Sequence, residues 1–194
     1  MKGPTPGCAQ RLAACAFGCV LATATHAQDR VTLAELEGVV IEIKVVRQQV
    51  LHAKGKTYPN RFHLGVIVTV GGDEDLSVRA DVVNHTPTGE HKSKPETIAV
   101  KLQKPGAAQM FGSGTGMWLF NEGKLTYLRT FQNGAYKRDV TIKRTAQQLT
   151  CEVKEGFARE EGKPNIMWNS SHDGSLIKLV SDELVSATCA IRKP

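Results

Sequence analysis

Val39, Ile41, Ile43 and Val45 share one phase of an alternation whose other phase holds Glu42 and Lys44, and the same period of two returns in Phe62, Leu64, Val66, Val68 and Val70. A period of two places one set of side chains on a single face of an extended strand, whereas a helix repeats its faces every 3.6 residues. These runs are therefore strands with one buried and one wet face, the pattern of antiparallel sheets. Similar short runs, broken by Gly, Pro, Asn and Asp, place strands near residues 39–51, 61–70, 76–83, 97–103, 115–121, 124–132, 135–144, 148–154, 165–170, 175–181 and 184–191.

About eleven strands with short connections form an antiparallel meander. The expected fold is all-β, a closed or nearly closed barrel, with a two-sheet sandwich as the alternative. The wet faces carry Lys, Glu, Asp and Thr, not the lipid-facing apolar band of an outer-membrane barrel. Helical character is confined to VTLAELEG, residues 31–38, one or two turns ended by Gly38. The segment NHTPTGEHKSKPE, residues 84–96, is polar with two prolines and reads as an exposed loop.

The N-terminus has Lys2 and Arg11 ahead of an apolar run from Leu12 to Ala24, followed by small residues around Ala27. This is the three-part pattern of a signal peptide over residues 1–27, leaving a single β domain at 28–194 that is periplasmic or secreted. The alternative cleavage spans Ala22–Ala24, and a lipoprotein signal at Cys19 is disfavoured by Ala16 in AFGC. No later segment approaches the roughly 20 apolar residues of a transmembrane helix. Cleavage removes three of the five cysteines and leaves Cys151 and Cys189. In an oxidising compartment the pair is expected to form a disulfide, closing a loop of about 39 residues for roughly 4 kcal/mol. A redox pair is the sharper alternative, but nothing resembles Cys-x-x-Cys.

Cleavage also lowers the net charge of +6 by two. That mild, dispersed excess with few aromatics argues against nucleic-acid binding and leaves an anionic small partner open.

The clearest local signal is KLTYLRTFQNGAYKRDVTIK, residues 124–143, because Asn133-Gly134 is a favoured two-residue hairpin turn. A turn centred there pairs Gln132 with Ala135. Counting outward, Phe131 pairs with Tyr136, Arg129 with Arg138, Tyr127 with Val140 and Leu125 with Ile142 on one face. Thr130, Leu128 and Thr126 oppose Lys137, Asp139 and Thr141 on the other. Two guanidinium charges about 6 Å apart repel by roughly 3 kcal/mol at an effective dielectric near 20. Something anionic is therefore expected between them. The bland answer is an internal carboxylate from Glu152, Glu155, Glu160 or Glu161. The functional answer is a ligand, with Arg129 and Arg138 clamping a carboxylate or phosphate while Tyr127, Phe131, Tyr136 and Trp118 cover its apolar body.

FGSGTGMWLF, residues 111–120, sets Gly112, Gly114 and Gly116 at every second position ahead of Trp118 and Phe120. A phosphate loop needs its glycines to open a helix, but here strand, turn and strand follow. The bare face either lets the sheet bend, with Trp118 folding over the backbone, or admits a ligand beside Trp118. His85, Glu90 and His91 match no standard metal spacing, and no cofactor is expected. HDGS, residues 172–175, reads as a turn. No catalytic signature is present, so the expected protein is not an enzyme.

Trp118, Phe120, LTYLRTF, GAYKRDV, LTC at 149–151, ARE at 158–160 and VSATCAI at 185–191 resemble small exported bacterial β-proteins of uncharacterised function. The resemblance implies export and a β fold, and brings no activity. A lipocalin-type barrel is similar in architecture only, since the Gly-x-Trp that opens lipocalins is GVV at Gly38–Val40. The expected function is non-catalytic binding of a small anionic or amphipathic ligand inside the sheet. The alternative is an envelope module that binds another protein through a loop or edge strand.

Overall fold

The computed structural model describes residues 30–107, 115–146, 148–170 and 172–193; the signal peptide expected at 1–27, with Gly112 and Gly114, lies outside them. Among the described residues a single 3-10 turn, Ala34–Leu36, precedes twelve strands: β1 (Val40–Ala53), β2 (Lys56–Val70), β3 (Asp75–Thr86), β4 (Gly89–Lys92), β5 (Glu96–Lys101), β6 (Pro105–Ala107), β7 (Thr115–Asn121), β8 (Lys124–Phe131), β9 (Gly134–Thr145), β10 (Gln148–Arg159), β11 (Ile166–Asn169) and β12 (Leu176–Arg192). Among the described residues no helix is long and apolar enough to cross a membrane.

The strands form two antiparallel sheets. One, ordered β11-β12-β1-β2-β3-β4 with β5 also paired to β3, curls as a half-barrel, and the other, β10-β9-β8-β7-β6, forms a separate second sheet. On one side the chain passes from β5 into β6, held by Leu102 N–H to Glu74 O at 2.9 Å and Gln103 N–H to Trp118 O at 2.7 Å. On the other side β10 and β12 share no ladder; the Cys151–Cys189 disulfide joins them with a Cα separation of 6.0 Å.

The alternation noted in the sequence fills the interior. Val39, Ile41, Ile43 and Val45 meet Phe62, Leu64, Val66, Val68 and Val70 in one core, with Leu36 among them and Val78, Leu125, Val140 and Ile142 alongside. Each fully buried Val or Ile contributes roughly 1.5–3 kcal/mol by leaving water. A smaller cluster, Leu51, Ile166 and Leu179, closes the far end, where β11 crosses from β12 to the β8–β9 turn.

Three local expectations need correction. The strands expected at 175–181 and 184–191 are one strand, β12, whose pairing with β1 slips at Val180 and again at Val185. Each bulge adds one residue and reverses the phase of the alternation, so the pattern breaks without the chain turning. Leu179 faces inward opposite Leu51, then Asp182 and Leu184 do so opposite Gln49 and Arg47, and then Ala187, Cys189 and Ile191 opposite Val45, Ile43 and Ile41. Second, much of the expected loop at 84–96 is a β3–β4 hairpin, although it is largely exposed.

The third correction concerns the β8–β9 hairpin. Its register pairs Phe131 with Gly134, Arg129 with Tyr136 and Tyr127 with Arg138, so Arg129 and Arg138 are not opposite each other. The turn residues are Gln132 and Asn133, the latter at a left-handed φ of 69°, and Gly134 begins β9. Neighbouring strands impose this. A Cβ on Gly134 would strike Ala158 O and lie 2.7 Å from Ile166 Cγ1. Asn133 Nδ2 donates to Asn165 O at 3.1 Å, Glu160 N–H to Asn133 O at 3.1 Å, and Met167 N–H to Gln132 O at 3.0 Å. The glycine is needed for close approach, not for a positive φ. Because the slip is two residues, each side chain keeps the face that the alternation assigned to it.

Candidate ligand-binding cleft

The inward phase of β1 runs past Val45 to Arg47 and Gln49, so the apolar interior gives way to a polar layer toward the β11 end. Arg47, 3 % exposed, donates from Nε to Asp182 Oδ1 at 2.7 Å and from Nη2 to Asp182 Oδ2, and its Nη1 donates to Glu155 Oε1 at 2.6 Å. Glu155 Oε2 accepts from Arg138 Nε at 2.8 Å and from the Tyr136 hydroxyl. Arg138 Nη2 donates to Tyr136 Oη at 2.5 Å. The layer continues across the curled sheet through Gln49 Nε2 to Asp182 at 3.0 Å, and Asn60 Nδ2 to Gln49 Oε1 at 3.1 Å and to Asn84 Oδ1 at 2.9 Å.

Burial opposes the charge on Arg47, but hydrogen bonding and attraction from Asp182 and Glu155 outweigh it, and its pKa moves up. Arg138 behaves likewise, with Tyr136 and Glu155 outweighing desolvation. The Tyr136 hydroxyl is pushed well up, first by burial and further by Glu155, against the pull of Arg138. Tyr136 thus stays protonated and donates to the carboxylate. Glu155 is the internal carboxylate that the sequence offered among four candidates; Glu152 points instead to Lys143, at 3.1 Å.

Arg129 differs in its surroundings. It is 2 % exposed, its guanidinium carbon lies 4.6 Å from the Phe131 ring centre, and burial pushes its pKa down despite attraction from Tyr127. It still remains charged at neutral pH, as arginines do in proteins. Arg129 and Phe131 line a cleft of about 260 Å³ between the end of β8 and β11, with Thr130, Gln132, Met167, Trp168, Asn169 and Leu176 as the other walls. Among the described residues β11 forms no ladder with β8 or β9; one isolated bridge, Gln132–Met167, joins it to the hairpin turn at this cleft.

Of the six residues expected around a ligand, Arg129 and Phe131 meet at this cleft. Arg138, Tyr127, Tyr136 and Trp118 lie in the packed interior, each 1 % exposed or less. Trp118 packs on Tyr127 at 5.0 Å, and the column continues through Tyr136, Phe157 and Phe131 to Trp168 with ring spacings of 6.2, 5.0, 5.9 and 5.7 Å. The bare backbone at Gly116 is covered by Tyr127, not Trp118, and a Cβ there would sit 2.6 Å from the Tyr127 ring.

Sequence reasoning missed Arg47, Gln49 and Asp182. Extending the phase of Val39–Val45 by two steps would have found the first two. Asp182 carried no such signal, since its inward position depends on the bulge at Val180.

Elsewhere, His85 Nδ1 lies 3.5 Å from Glu90, and the His63 and His85 rings are 5.0 Å apart, but no three potential ligands converge on a metal position among the described residues. A larger groove of about 380 Å³ at the opposite end is lined by Glu35, Arg144, Leu149 and Lys193; Glu35 and Arg144 already pair with each other there, and no buried charge faces it. No protein-family model, curated protein or solved structure matches this chain.

Proposed function

We propose that this protein is an exported, non-catalytic binding protein whose cleft at Arg129 takes a small anionic amphipathic molecule. The observation that carries this reading is that a buried arginine, Arg129, is among the residues lining a cleft walled also by Phe131, Met167, Trp168 and Leu176. A cation beside apolar and aromatic walls favours a ligand with one charged end and one greasy body. Export is supported by the export-signal pattern at 1–27 and by the Cys151–Cys189 bond, which persists in oxidising compartments.

The test is native mass spectrometry of the protein purified gently from its own compartment, beside Arg129→Gln, with circular dichroism to establish folding. A co-purifying mass of roughly a few hundred daltons, the scale such a cleft accepts, is expected in the parent and absent from the variant. An unliganded mass in both, with no binding of added organic anions, would overturn the reading.

A second reading has its own support. Val180 and Val185, the two bulge residues of β12, are 39 and 54 % exposed, and among the described residues no ladder closes the edge of β12 beyond β11. A protein-binding module would use such an edge. Val180→Lys with Val185→Lys would then abolish partner capture while leaving ligand binding intact.

A further inference from the structure

We infer that the Cys151–Cys189 bond is a redox latch, whose reduction by a dithiol parts one half of the seam between β10 and β12 and leaves both sheets in place.

Side chains close this seam. Among the described residues β10 ladders only with β9, and β12 beyond Leu179 ladders only with β1. Toward the β11 end the seam is pinned whatever the state of the cysteines. Arg47 of β1 donates to Glu155 of β10 at 2.6 Å and to Asp182 of β12 at 2.7 Å, and Arg159 Nη2 of β10 donates to Val180 O of β12 at 2.7 Å. Toward the other end, residues 148–153 and 187–192, no described hydrogen bond or ion pair crosses between the two strands, and the disulfide alone spans them.

The bond holds down apolar side chains. Leu149 and Val153 of β10 and Ala187 and Ile191 of β12 share the inward phase of the two cysteines, and all of them are half-buried against the main core. Cys151 and Cys189 are themselves half-buried, within reach of a small thiolate. Each strand keeps a full ladder on its other side, β10 with β9 and β12 with β1, so cutting the bond parts two edges without dissolving either sheet. The parting starts at an existing gap. The groove of about 380 Å³ lined by Gln148 and Leu149 of β10 and by Lys193, just past β12, lies at this end of the seam.

The chemistry is thiol–disulfide exchange. One thiolate of the dithiol attacks a cysteine sulfur, breaks the S–S bond and expels the other cysteine as a thiolate. The second thiol of the reductant then attacks the mixed disulfide and releases the first cysteine. The dithiol supplies both electrons and both protons and leaves as its own disulfide, and Cys151 and Cys189 end as thiols.

The experiment treats the oxidised protein, purified from its own compartment, with dithiothreitol at neutral pH and without denaturant. Alkylation traps the thiols, amide exchange is mapped by mass spectrometry, and circular dichroism follows the fold. Alkylation is expected at Cys151 and Cys189, with exchange quickened over residues 148–153 and 187–192 only, an unchanged dichroism spectrum, and full recovery on reoxidation. A bond that yields only in denaturant would overturn the inference. So would a reduced protein that exchanges like the oxidised one, or one that unfolds throughout. The latch lies at the opposite end from the Arg129 cleft and does not depend on it, so its failure leaves the proposed function standing.

Discussion

Arg47 and Asp182 meet through paired guanidinium–carboxylate hydrogen bonds although 135 residues separate them along the chain. Asp182 faces Arg47 only because the bulge at Val180 turns it inward, and Cys189 faces the core only because the bulge at Val185 turns the strand back. Two inserted residues thus set which parts of β12 close the interior.

Deleting Val185 should therefore be far more harmful than replacing it. Val185 is 54 % exposed, so Val185→Thr is expected to change stability by less than about 0.5 kcal/mol. The deletion puts Cys189 and Asp182 in conflicting phases and should lower the thermal midpoint sharply or prevent folding. Melting curves of the two variants would decide it, and equal stability would refute the bulge argument.

Glu155 serves Arg47 and Arg138 together, whereas Asp182 serves Arg47 with help from Gln49. Glu155→Gln should cost about 3–5 kcal/mol, the usual penalty for leaving buried charge unmatched. Asp182→Asn should cost less, because Arg47 keeps Glu155. Urea denaturation measures both, and the reverse order would show that the network is partitioned differently.

Gly116 lies under the Tyr127 ring with no space for a methyl group. Gly116→Ala is expected to destabilise by about 1–3 kcal/mol through overpacking. Combining it with Tyr127→Leu should cost less than the sum of the single changes, read as a coupling energy in a double-mutant cycle. Strict additivity would mean the two positions do not touch.

The Cys151–Cys189 bond closes a loop with a sequence separation of 38. Replacing both cysteines with Ala should cost about 4 kcal/mol by the chain-entropy relation. Because β10 and β12 have no ladder, amide exchange should rise first along those two strands, while β1–β2 stays protected. Uniform loss of protection would indicate that the bond supports the whole fold equally.

Acid sensitivity should have an identifiable part at Glu35. The Thr32 backbone N–H and Arg144 hold its pKa at about 2, against an ordinary 4.5. A carboxyl with a depressed folded pKa adds stability that is complete above the ordinary value and disappears as pH falls toward the folded one. The stability difference between the parent and Glu35→Gln should be constant above about pH 4.5 and shrink toward pH 2. A difference independent of pH across that window would rule Glu35 out as the source.

The alternation marked most of the strands and, outside β12, their inner faces, including the face of the hairpin that buries Arg129 and Arg138, because a period of two leaves one set of faces to the core. Composition left one cysteine pair in the domain, and the structure places that pair at bonding distance. The hairpin register was not legible, since Asn133-Gly134 obeys a local turn preference that the closer demands of Ala158 and Ile166 override. Nor was the phase of β12, because a bulge is one extra residue whose position depends on the partner strand. The sequence thus supplied the arginines and the aromatic residues. Only tertiary structure decided that Arg138 pairs with Glu155 and that Arg129 is among the residues lining the cleft beside β11, because contacts between distant strands fix the register.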